Sequence, residues 1–146
     1  MGALLFHAYG YSGAAMPQKY ALCSEDELLE MLEARAKIRG QELDEGRPKK
    51  ANAQFDIMVK LSCELLRRGR SAQLKILSLL KSDNPYVRMW AAFLALEFDI
   101  SQGERVLEEI GRNYRRDLNI GFSAEFMLKQ WRKGELRTLS QWGCRG

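Results

Sequence analysis

Two stretches of this chain repeat each other at a fixed spacing of 33 residues. The offset sets Leu74 on Leu107, Leu77 on Ile110 and Ala91 on Ala124. It also sets Leu94 on Met127, Ala95 on Leu128 and Phe98 on Trp131. A period that keeps the apolar positions, and keeps a small residue where helices cross, is what a stack of helix pairs requires. The 146 residues leave room for a few such units and for no separate catalytic module. The expected architecture is all-α, a short right-handed α-solenoid.

Local signals place six helices in three pairs. Ser24-Glu25-Asp26-Glu27 is a capping box, in which the serine and the glutamate each satisfy the other's free amide. It predicts a helix over 24–40, followed by a polar connection over 41–49. The second helix covers 51–68 and closes at Gly69. The third, 71–82, stops at Ser82-Asp83-Asn84-Pro85. There Asn84 is a good N-cap, and Pro85 suits a first helical position whose amide has no partner anyway. The fourth runs over 85–98, a second capping box at Ser101 and Glu104 opens the fifth over 101–112, and the sixth covers 122–133 before Gly134. No stretch alternates as a strand does.

The fourth helix is apolar almost all round. Val87, Ala91, Leu94, Ala95 and Phe98 fill one sector, Tyr86, Trp90 and Phe93 a second, and Met89, Ala92 and Leu96 lie behind, with Arg88 and Glu97 the interruptions. Such a helix is covered on most sides, which suits the middle of three pairs. The alternative is that Tyr86, Trp90 and Phe93 form an aromatic patch for a partner or a second copy.

The segment Asp83-Asn84-Pro85-Tyr86-Val87-Arg88, followed by Ala91-Ala92 and Ala95-Leu96, resembles the second helix of a HEAT repeat. The resemblance implies that Val87 packs inward and that Arg88 ties neighbouring repeats by bonding carbonyls or acids. Phe55-Asp56, Leu77 to Leu80, Leu107-Glu108-Glu109-Ile110, and Leu128 with Trp131 and Gly134 extend it over 24–136. This stretch is similar to a small bacterial HEAT-like helical-repeat family of otherwise unknown function. Some of its members act as immunity proteins in contact-dependent growth inhibition and polymorphic toxin systems. Three pairs, an N-terminal extension over 1–23 and a C-terminal tail over 137–146 are the implied organisation.

Charge is divided unevenly. Residues 25–46 hold eight acids against three bases, whereas 47–146 hold 19 bases against 11 acids, and the net formal charge is +4. A toxin acting on nucleic acid is normally basic, and carboxylates steer a basic partner. Glu27, Glu30, Glu33, Asp44 and Glu45 are therefore the candidate docking residues, with Tyr86 and Trp90 as apolar anchors, the side-chain types in which interface energy concentrates. The competing partner is nucleic acid. Lys49-Lys50, Arg67-Arg68-Arg70, Arg112 with Arg115-Arg116, and Arg132-Lys133 with Arg137 fall near helix ends, where a solenoid can align them into a rim for phosphates.

Nothing in the sequence assembles a reaction. His7 is the single histidine, Glu108 and Glu109 point about 100° apart on a helix, and no phosphate loop or G-x-S-x-G turn is present. The expectation is a non-enzymatic binding protein with no cofactor and no metal. Cys23, Cys63 and Cys144 are odd in number and scattered, which reads as three free thiols in a reducing cytoplasm. No run of roughly 18 apolar residues is present to span a membrane.

Overall fold

Ser24 opens the first long helix as its neighbours require. In the computed structural model, which describes residues 17–144, the Ser24 hydroxyl accepts from the Glu27 amide at 3.0 Å, and the Glu27 carboxylate accepts from the Ser24 amide at 2.8 Å. That backbone bond, helped by the serine hydroxyl, holds the Glu27 carboxyl below its usual range. Ser24→Ala is expected to lower stability by about 1 kcal/mol. A urea midpoint that does not move would show that the cap contributes nothing.

The described residues form eight α-helices and no strand. A short turn of helix, α1 (Gln18–Ala21), leads into α2 (Glu25–Asp44) and α3 (Pro48–Arg67). Next come α4 (Arg70–Ser78), tightening into a 3₁₀ turn over Leu79–Lys81, and α5 (Pro85–Ala95). Then follow α6 (Ile100–Asn113), α7 (Ile120–Arg132) and the single turn α8 (Leu139–Trp142). Packing is sequential: α2 lies along α3, α4 against α5, and α6 against α7.

Helix α5 is the centre. It touches α2, α4, α6, α7 and the 3₁₀ turn, and Tyr86, Val87 and every residue from Met89 to Ala95 are buried. Its entry follows the sequence, with the Asn84 side chain accepting from the amides of Tyr86 at 2.9 Å and Val87 at 3.2 Å. Ala91 and Ala124 are both fully buried, as the repeat required of small residues at crossings. Arg88 donates to the Leu80 carbonyl at 3.0 Å and pairs with Glu109 at 3.6 Å. One guanidinium thus ties the turn after α4, α5 and α6 together.

Several expectations need correcting. Helix α2 does not stop at Gly40; it runs on to Asp44, and α3 already begins at Pro48, so most of the expected connection is helical. Gly40 is small for a different reason: a Cβ there would collide with the Tyr86 ring. The chain reverses instead at Gly46, whose φ of +73° suits a residue without a Cβ. Gly69 and Gly134 do follow the ends of α3 and α7. The cap of α6 is Asp99, whose carboxylate accepts from the Gln102 amide at 3.3 Å, and Ser101 lies inside the helix. Leu74 is half exposed while Leu107 is buried. The repeat therefore holds between α5 and α7 and slips by one residue between α4 and α6, where Ala72 matches Val106 and Ile76 matches Ile110 as core positions.

The ends behave as part of the core. The expected tail contributes buried Leu139 and Trp142, and Trp142 stacks on Phe55 with ring centroids 6.2 Å apart. Cys63 and Cys144 are joined by a disulfide, so the reading of three free thiols fails; Cys23 is free. The 81-residue separation concealed a pair that the fold brings together, with Cα atoms 5.3 Å apart. At the other end α1 docks through Arg68, which donates to the carbonyls of Tyr20 at 3.1 Å and Ala21 at 3.3 Å. Arg68 also pairs with buried Glu64 at 2.9 Å. The guanidinium bonds of Arg67 and Arg68 hold that carboxyl below its usual range. Residues 1–16, including His7, lie outside the described part.

Candidate functional site

The seven residues predicted to meet a partner divide into three groups. Tyr86 and Trp90 are core residues, 7% and 2% exposed, and neither can anchor a partner. Trp90 donates its indole N–H to the Ser62 hydroxyl at 2.9 Å and meets the Phe55 ring edge-on, with centroids 5.6 Å apart. Phe93 is buried beside it, so the aromatic patch for a second copy is absent too. A single sequence cannot distinguish an aromatic that faces outward from one covered by the next helix.

Asp44 and Glu45 are occupied within the fold. Asp44 accepts from the Tyr86 hydroxyl and from the Asn119 amide at 3.3 Å, joining the end of α2 to α5 and to the loop before α7. Burial, then the Asp44 bond, raise the Tyr86 phenol far above its ordinary value. Glu45 pairs with Arg47, which also holds Glu42 at 2.7 Å. Glu25 and Asp26 meet Lys75 at 3.7 and 2.7 Å.

What remains on α2 is Glu27, Glu30 and Glu33. Glu27 is exposed but engaged in the cap, Glu30 is exposed and Glu33 is partly exposed. Positions three apart on a helix are neighbours on its surface, so the three form one row. Glu30 and Glu33 have no ion pair or side-chain hydrogen bond among the described residues.

The basic runs are rearranged more drastically. Arg67 and Arg68 share the single carboxylate of Glu64. Lys49 and Lys50 stand in the first turn of α3, where the helix dipole opposes them. The cations near the ends of α6 and α7 line one cleft instead, one set towards each of its ends. A cleft of about 620 Å³ between these helices has Leu107, Gly111 and Leu128 in its lining. Arg112, Arg115, Lys129, Arg132 and Lys133 border it, with Glu108 and Glu125. The helices run antiparallel, since Gly111 faces Glu125 while Arg132 reaches Glu108 at 3.3 Å and Glu104 at 3.9 Å.

Lys129 belongs to no basic run in the sequence. Its spacing of three and four from Arg132 and Lys133, one helical face, is the signal that marks it. No group of three His, Cys, Asp or Glu among the described residues is placed to hold a metal, and no described helix is long and apolar enough to cross a membrane. No family model, curated protein or solved structure matches the chain.

Proposed function

We propose that this chain is a non-enzymatic immunity protein that binds and neutralises a bacterial toxin domain of the contact-dependent growth inhibition type. Its frame is read as a short right-handed solenoid of about three HEAT-like pairs. The Arg88 tie, which the HEAT resemblance required, supports that frame. The observation that carries the docking reading is the row Glu27, Glu30 and Glu33 on α2, whose last two carboxylates have no partner among the described residues. A folded protein that keeps like charges unpaired on one face presents a field to a basic partner and steers its approach.

An arriving toxin domain places the encounter in the cytoplasm. A disulfide belongs to oxidising compartments; in a reducing one, Cys63 and Cys144 would stand side by side as thiols.

The test is co-purification from the host at moderate salt, followed by growth rescue. The expected partner is the C-terminal domain of a large secreted protein whose expression alone arrests growth and whose co-expression with this chain restores it. Glu30→Lys combined with Glu33→Lys is expected to weaken association by at least tenfold, about 1.4 kcal/mol, and to abolish rescue. If association and its salt dependence are unchanged in that variant, the α2 row is not the interface.

A further inference from the structure

The cleft between α6 and α7 is built from different residues and has a different sign. Arg132 is held by Glu104 and Glu108. Arg112, Arg115, Lys129 and Lys133 have no ion pair or side-chain hydrogen bond among the described residues, so the cleft's five cations outnumber its two carboxylates, Glu108 and Glu125. Dipole stabilisation accounts for a cation at the last turn of α6 or α7. Because the two helices run antiparallel, those last turns lie towards opposite ends of the cleft, and its cations are spread along its length. The charged strip also continues past the cleft. Arg112 and Arg115 share an adjoining hollow with Arg116 and Asp117, and Arg112 and Arg132 share another with Arg105, Glu104 and Glu108. At 1.5 Å per residue the strip follows α6 from Arg105 to Arg112, about 10 Å, before passing to Arg115 and Arg116 beyond the helix end.

We infer that this cleft is a binding site for single-stranded nucleic acid, its phosphates lying on Arg112, Arg115, Lys129 and Lys133. Three features favour that ligand over an acidic protein segment. The strip is a line of charge, which suits a regularly charged strand. Most of its cations are arginines, whose planar fork matches phosphate oxygens. Glu108 and Glu125 border the cleft beside the cations and repel phosphates and peptide carboxylates alike, but a nucleic acid also carries neutral bases that can face them. Unpaired bases carry exocyclic amino groups that donate to carboxylates, and these edges are free in a single strand.

Fluorescence anisotropy with a labelled single-stranded RNA, a labelled single-stranded DNA and a labelled DNA duplex tests the inference. Four phosphate contacts predict that affinity for a single strand falls about fiftyfold between roughly 50 and 200 mM salt, a log–log slope of about −2.8. Arg112→Glu with Lys129→Glu is expected to halve that slope and weaken binding more than tenfold, with the circular dichroism spectrum unchanged. Glu30→Lys with Glu33→Lys leaves the slope alone, which keeps this inference separate from the docking role of α2. RNA against DNA identifies the source of the strand. Four results overturn the inference: no binding at low salt, a slope the cleft variant does not alter, preference for the duplex, or displacement by polyglutamate at equal charge.

Discussion

Replacing Trp90 by alanine is expected to lower the stability of this protein by about 3–5 kcal/mol. The side chain is 2% exposed and wedged between Phe55 and Phe93, with centroid distances of 5.6 and 5.3 Å. Removing it opens a cavity at the junction of α3 and α5 and deprives the buried Ser62 hydroxyl of its donor. For a domain whose total stability is about 5–15 kcal/mol, the loss is a fifth or more. Urea unfolding should show the midpoint falling sharply with its slope unchanged. Trp90→Phe keeps much of the ring but not the N–H, and is expected to lose about 1–3 kcal/mol. Partner association, measured where the variant is still folded, should be unaltered. A Trp90→Ala protein that stays stable and loses its partner would return the indole to the surface.

The second large effect belongs to the disulfide. Cys63 and Cys144 close a loop with a sequence separation of 81. A crosslink over that length removes denatured-state entropy equivalent to about 4–5 kcal/mol at 25 °C. Reduction, or Cys63→Ala, is therefore expected to bring the unfolding midpoint down sharply, with Cys23→Ala as the silent control. Thiol titration of the unfolded oxidised protein should find one free group, Cys23, and after reduction all three. Three thiols in protein purified without reductant would mean the bond does not form in solution.

Local chemistry was legible in the sequence wherever it depended on residues a few positions apart. The Ser24 box, the Asn84-Pro85 entry and the glycines after α3 and α7 work through backbone groups next to them. What sequence alone could not supply was the identity of distant neighbours. Gly40 looked like a helix stop because nothing local revealed the Tyr86 ring lying against it. Tyr86 and Trp90 looked available because their covering lies in α2 and α3. Asp99 and Ser101 competed as caps two residues apart, and the side-chain bond decided for Asp99. The basic cleft was half legible: Arg112, Arg115, Arg132 and Lys133 stood out as runs and Lys129 shares a helical face with the last two, while their common cleft with Arg112 and Arg115 exists only when α7 faces α6.

The central position of α5 also has a consequence for the chain during its synthesis. The ribosome delivers α5 before α6 and α7, two of the helices that cover it. For the few seconds needed to add the rest, at about 5–20 residues per second, the most apolar helix is only partly enclosed. A nascent chain halted after residue 98 should thus be held by chaperones, and one released at full length should not.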